Sequence, residues 1–207
     1  MHPKLVFDTS TDFILENERV LLRPLVQDDA VYLSAYVKEE PALWKYALTP
    51  ITTDQEFEQY MATAVEARQL KSAYPFIVYD KLQNKYVGST RFYDIQLDNC
   101  STQFGYTWYS ESTWGTGLNE HCKFLLLQFA FETIGFERIE FRADNRNKRS
   151  IAAMQKIGCT VEGILRSHLP TSDGTRRDSI VLSMLKNEWP KIKEGFLARI
   201  KMLDQNK

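Results

Sequence analysis

At 207 residues with 43% hydrophobic and 13% aromatic content, the chain is long enough to bury the core of one globular domain, residues 1–207. Lys+Arg 26 nearly balance Asp+Glu 27, which argues against attraction of the whole molecule to nucleic acid or to an anionic membrane. The three cysteines and three histidines have no metal-type or redox-type spacing, so we expect reduced thiols and no metal.

The N-terminal sequence MHPKLVFDTSTDF lacks the charged region, the apolar run and the cleavage site of a signal peptide. The densest apolar stretch, residues 124–131, is interrupted by Gln128 and is far shorter than the roughly 20 residues that span a bilayer. We therefore expect a cytoplasmic protein that does not cross or bind a membrane.

Two predicted elements open the chain. Residues 19–25, RVLLRPL, alternate in hydrophobicity and predict a first strand, and the acidic segment 27–29 predicts the start of a helix that reaches Tyr36. Thr53 is a good N-cap residue, and acidic residues follow it in the first turn. A long amphipathic helix is therefore predicted from there to about Leu70.

The middle of the chain predicts an antiparallel meander. Residues 75–79 and 86–93 are β-branched and aromatic runs on either side of a polar stretch, the pattern of a hairpin. Residues 102–109 alternate aromatic side chains with polar or small ones and predict a third strand. Apolar residues then recur at helical spacing over 118–133, so a buried helix that ends at Gly135 is predicted.

The last third of the chain predicts a mixture of strands and helices. The expected elements are a strand at 138–143, a helix at 149–157, strands at 160–166 and 179–185, and a C-terminal helix from about 187 to 203. The whole order predicts a mixed α/β fold of the α+β class, with its core over about 19–189.

The turn at residues 114–119, WGTGLN, lies between a predicted strand and a predicted helix. Free N–H groups and the macrodipole at a helix start favour an anion there. Gly115 and Gly117 let the backbone approach that anion closely, and the Thr116 hydroxyl can add a donor. The dinucleotide fingerprint is excluded because Glu120 replaces its third glycine, and the P-loop lysine is absent. By itself, however, a pair of glycines can serve only to make the bend.

Three further segments extend this pattern. Asn147 and Ser150 have the N-x-x-S spacing of a helix start, residues 157–166 read IGCTVEGILR, and residues 176–184 read RRDSIVLSM. Together with WGTGLN, they resemble the GNAT superfamily of CoA-dependent N-acetyltransferases over roughly residues 19–189. The RRDSIVLSM segment is similar to the last strand of the branch that includes the ribosomal-protein-alanine N-acetyltransferases.

The resemblance implies a mostly antiparallel, twisted central sheet flanked by helices and splayed between its fourth and fifth strands, residues 102–109 and 138–143. It implies direct acetyl transfer in a ternary complex, from acetyl-CoA as cosubstrate to a primary amine, either a protein N-terminus or a small amine. The implied residues that bind the cosubstrate are Trp108, Tyr109, Trp114, Gly115, Thr116, Gly117, Leu118, Asn119, Asn147 and Ser150.

Direct attack on a thioester needs an oxyanion donor, a proton for the thiolate and a base for the amine. A backbone N–H near Trp108 or Tyr109 is the candidate oxyanion donor. The tyrosine that many family members use as the acid is replaced by Met154, so Ser150 is the candidate acid. His168 is the leading candidate base. The alternative bases are Glu111 and Glu120. Trp44 and Tyr46 are candidate walls of the acceptor site.

The sequence departs from the family pattern at two positions and leaves several alternatives open. Ser112 stands where the family often has Arg or Gln, which together with Met154 keeps open a non-catalytic module that binds CoA or a protein. The basic residues Arg146, Lys148 and Arg149 either meet the 3′-phosphate of CoA or form a solvated face. A nucleic-acid site at 142–149 is disfavoured because its charge is sparse. The sequence does not choose between a monomer and a homodimer.

Overall fold

The computed structural model describes residues 5–48, 50–171 and 173–205, without the side chain of Asp204. Within those residues, eight strands form one sheet in the order β1-β2-β3-β4-β5-β6-β8-β7. In chain order from β1 to β8, the strands are Leu15–Glu16, Val20–Pro24, Ala73–Asp80, Lys85–Gln96, Ser101–Tyr109, Arg138–Asp144, Thr160–Pro170 and Arg176–Leu185.

Helices cover both faces of this sheet. In chain order, the α-helices among the described residues are α1 to α6 at Ala30–Leu33, Ala35–Glu39, Asp54–Gln69, Leu118–Gln128, Lys148–Lys156 and Trp189–Gln205. A π-helical stretch, Phe129–Ile134, continues α4 to Gly135, whose positive φ of 91° ends it. Thr53 caps α3 by accepting a hydrogen bond from the N–H of Glu56.

The predicted helix from 27 to Tyr36 is wrong in its continuity, because the structure breaks this segment into a 3₁₀ turn followed by α1 and α2. The interruption lies at Ser34, between α1 and α2, where the N–H of Val37 donates to the carbonyl oxygen of Ser34 in a 3₁₀-type hydrogen bond. At the start of the segment, the buried carboxylate of Asp29 accepts hydrogen bonds from Arg23 and from the N–H of Val26. This carboxylate therefore holds the start of the helical segment, which lies where the sequence predicted it.

The hairpin of β7 and β8 is longer than the hydrophobic pattern predicted. Its outer part is polar, so it carries no apolar alternation, and side chains hold it together instead. The N–H of Ser167 donates to the carboxylate of Asp178, and Arg176 donates to the carbonyl oxygen of Ser167. As a result the hairpin extends to Pro170 and Arg176.

Among the described strands, β5 and β6 form the one parallel pair, and their pairing is short. It joins Ser101 to Arg138, Thr102 to Ile139 and Gln103 to Glu140, and every other strand pair is antiparallel. Beyond Gln103 the two strands diverge, while β6 stays paired with β8 as far as Asp144. The predicted splay between these segments is confirmed.

The apolar core lies in two clusters on the two faces of the sheet. Residues such as Phe92 and Phe104 pack with α4 and α6 on one face, and Trp108 packs with α2 and α3 on the other. Trp108 therefore faces the side of the sheet opposite to Phe104, in the part of β5 that no longer pairs with β6. No helix in the described part of the chain is long and apolar enough to span a bilayer.

A buried ion pair connects β2 and β3 to the WGTGLN turn. Arg19 Nη2 lies 3.0 Å from Asp80 Oδ2 and donates to the Thr116 hydroxyl at 3.2 Å. Replacing Asp80 by alanine leaves a guanidinium buried without its carboxylate, so we expect the free energy of unfolding to fall by about 3 to 5 kcal/mol in urea titrations. Lys38→Ala, which breaks an exposed pair, is the control and is expected to cost less than about 1 kcal/mol. Equal losses in the two variants would contradict this account of the pair.

Candidate functional site

An open cleft of about 1570 Å³ lies where β5 and β6 separate. The turn at 114–119 with the first turns of α4 and α5 forms what we call the turn side of the cleft. The other wall, which we call the aromatic side, is lined by Trp44, Tyr46, Tyr60, Arg91, Tyr93, Tyr106 and His168. The cleft brings Trp108, Tyr109, Trp114, Gly115, Gly117, Asn119, Asn147, Ser150 and His168 to one cavity.

The two glycines of the turn have left-handed backbone conformations, with φ of 74° at Gly115 and 87° at Gly117. A Cβ built at Gly115 meets no atom of the described residues within 4 Å, whereas one at Gly117 lies 3.1 Å from Leu203 Cδ1. Gly117 therefore serves both the turn and the packing of α6. Gly115 leaves the cleft wall open, which is what a closely approaching anion requires.

The start of α4 presents backbone donors to this turn. The first hydrogen bond of the helix runs from the N–H of His121 to the carbonyl oxygen of Gly117. In the described part of the chain, no backbone acceptor is found for the N–H groups of Leu118, Asn119 and Glu120. Free N–H groups at a helix start favour an anion such as a pyrophosphate.

Two of the predicted binding residues face inward from this turn. The Thr116 hydroxyl donates to the carbonyl oxygen of Thr113 at 2.7 Å and accepts from Arg19, so it holds the turn together. The Leu118 side chain is fully buried in the core. The contribution of Leu118 to an anion site is therefore its backbone N–H, while its side chain anchors α4.

The edge of β5 that faces the gap carries a backbone donor. The N–H of Ser110 donates to Val87 in the neighbouring β4, and N–H directions alternate along a strand, so the N–H of Tyr109 points into the gap. The carbonyl oxygen of Tyr109 points the same way and accepts from Trp114 Nε1 at 3.0 Å. The Trp108 side chain instead packs against Trp44 on the aromatic side. Tyr109 thus offers the geometry that was expected near residues 108 and 109.

The start of α5 forms the opposite rim of the turn side. Asn147 Oδ1 accepts a hydrogen bond from the N–H of Ser150 at 3.1 Å, so Asn147 is the N-cap of α5. Met154, at the position of the family's usual acid, is buried. The Arg149 guanidinium carbon lies 3.5 Å from the centre of the Trp114 ring and so connects the two rims.

The basic residues near α5 differ in how free their charges are. Arg146 makes two hydrogen bonds to the carboxylate of Asp144, which also holds the pKa of that carboxyl below its usual range. The Lys148 ammonium donates to the carbonyl oxygen of Asn145. Arg149 contacts a ring, and no carboxylate pairs with it within the described residues. Of the three, Arg149 has the charge most available to a ligand phosphate.

The three candidate bases occupy different environments. His168 lines the aromatic side, its Nδ1 lies 3.0 Å from Ser179 Oγ, and partial burial with the nearby Arg142 and Arg177 lowers its pKa. Glu120 is ion-paired with Lys156 at 2.6 Å. Glu111 is exposed and is not among the residues that line the cleft. His168 therefore remains the leading candidate, because a neutral imidazole can accept a proton.

Lys123, on α4, is a functional candidate that the sequence reasoning missed. Its ammonium lies in the gap, 3.5 Å from the centre of the Phe104 ring and 5.7 Å from that of Phe141. It donates to the Thr107 hydroxyl at 3.3 Å, which is in turn hydrogen-bonded to Thr90. Burial lowers the pKa of Lys123 to about 7. The available signal was a lysine inside the apolar stripe of a buried helix.

A thioester at the end of a long, narrow cosubstrate needs an anion site at the mouth of a cavity and a passage through the sheet. The divergence of β5 from β6 leaves such a passage. These features are the ones expected of the class of acyl-CoA-dependent N-acyltransferases. The chain belongs to the GNAT acetyltransferase family, since residues 19–160 match the family described as an acetyltransferase (GNAT) domain. It is accordingly an acetyl-CoA-dependent acyltransferase.

Similar proteins agree with this assignment. The uncharacterized N-acetyltransferase p20 of Bacillus licheniformis is 26% identical over 176 residues, which cover 84% of this chain and 97% of that protein. A GCN5-related N-acetyltransferase from Brucella melitensis has a TM-score of 0.81 at 27% identity, covering 90% of this chain and 84% of that one. The ribosomal-protein-S5-alanine acetyltransferase of Vibrio fischeri has the same fold, with a TM-score of 0.71 at 21% identity and coverage of 86% and 99%.

Proposed function

We propose that this enzyme transfers the acetyl group of acetyl-CoA directly to a primary amine while both substrates are bound. The observation that carries the proposal is the gap-facing N–H of Tyr109, which lies in the same cleft as the turn at 114–119. An N–H in this position can donate to the oxyanion that forms when an amine attacks a thioester. The free N–H groups of α4 and the open wall at Gly115 suit the pyrophosphate of the same cosubstrate.

The reaction requires two proton movements. His168 accepts the proton that the amine loses as its nitrogen bonds to the carbonyl carbon, and the N–H of Tyr109 stabilises the oxyanion. When the C–S bond breaks, the thiolate takes up a proton. Ser150 and Lys123 both line the cleft and are the two candidate donors. Lys123 is the stronger of them, because an ammonium group is a better acid than an aliphatic hydroxyl.

The chemistry of the cysteines supports direct transfer. Burial raises the pKa of both Cys122 and Cys159 to about 12, so these thiols stay protonated and are poor nucleophiles near neutral pH. Cys100 is partly buried and is not among the residues that line the cleft. An acetyl-enzyme at cysteine is therefore disfavoured, and the amine itself is the nucleophile in the ternary complex.

The acceptor is a protein N-terminus or a small amine. An N-terminal amine has a pKa of about 7.7 to 8.0 and is partly neutral near pH 7, so a weak base such as His168 suffices for it. The resemblance of RRDSIVLSM to the ribosomal-protein-alanine branch supports a protein N-terminus. A ribosomal or other intracellular acceptor would place the enzyme in the cytoplasm.

Thiol release from acetyl-CoA, measured over a panel of primary amines and peptides, tests this function. We expect turnover with at least one acceptor and initial-velocity lines that intersect when both substrates are varied, as a ternary complex requires. Parallel lines would indicate an acetyl-enzyme and contradict direct transfer. Tight binding of CoA without turnover on any acceptor would favour the non-catalytic module instead.

A further inference from the structure

The aromatic side of the cleft contains a buried arginine with unused hydrogen-bond donors. Arg91, on β4, is only 6% exposed and lines the cleft. Its guanidinium carbon lies 4.2 Å from the centre of the Tyr106 ring and 5.0 Å from that of Tyr60. Within the described residues, Arg91 has neither a carboxylate partner within 4.0 Å nor a side-chain hydrogen bond.

Other buried or half-buried arginines of the sheet have side-chain hydrogen-bond partners. Arg19 is paired with Asp80, and Arg23 makes two hydrogen bonds to Asp29. Arg177, on β8, is also buried and has no carboxylate within 4.0 Å among the described residues, but its Nε donates to the Ser179 hydroxyl. A buried charge without such a partner is costly, and two aromatic rings offset only part of that cost. Arg91, which has neither a carboxylate partner nor a side-chain hydrogen bond among the described residues, therefore points to an anion that comes from outside the chain.

The acids that line the same cleft are already engaged. Asp94 accepts hydrogen bonds from Gln96 and Gln103, Asp144 accepts from Arg146, and Glu56 accepts from the N–H groups that precede α3. None of them contacts Arg91 in the described part of the structure, so the five N–H donors of its guanidinium stay available.

The position of Arg91 separates it from the proposed pyrophosphate site. Its ring partners come from α3 and from the bulge of β5 at Tyr106, where φ is 50°, and not from the turn side. A ligand group at Arg91 therefore belongs to the acceptor. A guanidinium fork matches a carboxylate through two parallel hydrogen bonds.

We propose that the amine acceptor carries a carboxylate and that Arg91 binds it. This inference rests on the proposed function, because it names the chemical class of the acceptor for the same site. The carboxylate can belong to a free amino acid or to an acidic residue of a peptide, and the two sources share the chemistry that Arg91 recognises.

The experiment compares wild type with Arg91→Met on matched pairs of acceptors. One arm uses amino carboxylates of increasing chain length against their carboxamides, and the other uses peptides that differ by Glu or Gln near the N-terminus. We expect wild type to favour the carboxylate in at least one arm by about 30-fold or more in kcat/KM, and Arg91→Met to remove that preference without changing KM for acetyl-CoA.

Arg142→Met is the matched control, because Arg142 also lines the cleft but already pairs with Glu140, which keeps Arg138 as a partner. We expect this control to retain the carboxylate preference. Equal kcat/KM of wild type for carboxylate and carboxamide in both arms would overturn the proposal, as would an equal loss on both kinds of acceptor in Arg91→Met.

Binding of the N-acetylated carboxylate products, measured by calorimetry, is a second readout that needs no turnover. If the N-acetylated carboxylate product binds to wild type and to Arg142→Met but not to Arg91→Met, the result supports the carboxylate site even if acetyl transfer fails. Absence of binding to wild type, or binding that Arg91→Met leaves unchanged, overturns the site. Failure of acetyl transfer alone would instead count against the proposed function.

Discussion

Gly115→Asp is expected to weaken acetyl-CoA binding by about a hundredfold while the protein remains folded. The new carboxylate points into the open wall of the turn, where no atom of the described structure lies within 4 Å of the position that a Cβ would take. Two like charges about 6 Å apart repel by about 3 kcal/mol at an effective dielectric constant of about 20, which corresponds to a hundredfold in affinity. Calorimetric titration with acetyl-CoA measures the change.

Two controls separate charge from backbone strain. Gly115→Asn has nearly the same shape as the aspartate variant and also tolerates the left-handed conformation, so it is expected to retain most of the affinity. Gly174→Asp places the same charge at a glycine with φ of 78° and open space around it, in the turn of the β7–β8 hairpin. Wild-type affinity in Gly115→Asp would show that the turn does not hold the pyrophosphate.

Lys123→Met is expected to stabilise the fold and to slow acetyl transfer. Burial lowers the pKa of Lys123 from 10.5 to about 7, so protonating this amine in the folded state is costly at neutral pH. After an allowance for the two phenylalanine rings that favour the charge, we expect methionine to raise the free energy of unfolding at pH 7 by about 2 kcal/mol. We expect kcat to fall at least about tenfold, because a candidate proton donor is lost.

The pH dependence of stability identifies this lysine. The unfolded chain keeps the proton up to about pH 10.5, whereas the folded protein releases it above about pH 7, so this group makes wild type more stable as pH rises through that window. The advantage of Lys123→Met should therefore be full below pH 7 and shrink towards pH 10. Lys38→Met, at an exposed site, is expected to change stability by less than about 0.5 kcal/mol.

Two outcomes in these measurements would count against the assignment of Lys123. A stability difference that does not vary with pH would contradict the shifted pKa. Full activity in Lys123→Met would leave the proton transfer to Ser150, whose replacement by alanine then becomes the decisive variant.

Local sequence signals predicted the turn side of the cleft well in structural terms. The turn itself requires the left-handed conformations of Gly115 and Gly117, so nearby residues indicated them. Asn147 caps the helix whose start its N-x-x-S spacing indicated. The splay of the sheet was implied by the family resemblance of particular segments, and the short pairing of Ser101–Gln103 with Arg138–Glu140 confirms it. The binding and catalytic roles of these residues stay predictions.

Arg91, on the aromatic side, and Lys123, on α4, could not be predicted in the same way. Arg91 and Lys123 gain their chemistry from partners that are distant in sequence, Tyr60 and Tyr106 for the first and Phe104 and Phe141 for the second. Hydrophobic periodicity indicates that a position is buried, but it does not indicate whether a charge there meets an acid or a ring.

Amide hydrogen exchange with and without acetyl-CoA tests most directly whether the cleft between β5 and β6 holds the cosubstrate. We predict slower exchange at the N–H groups from Gly115 to Glu120, which have few acceptors in the described structure, and at Tyr109 in the gap. The polar turn of the β7–β8 hairpin around Gly174 should be unaffected. Binding of acetyl-CoA that leaves exchange at 115–120 and at Tyr109 unchanged would contradict the account.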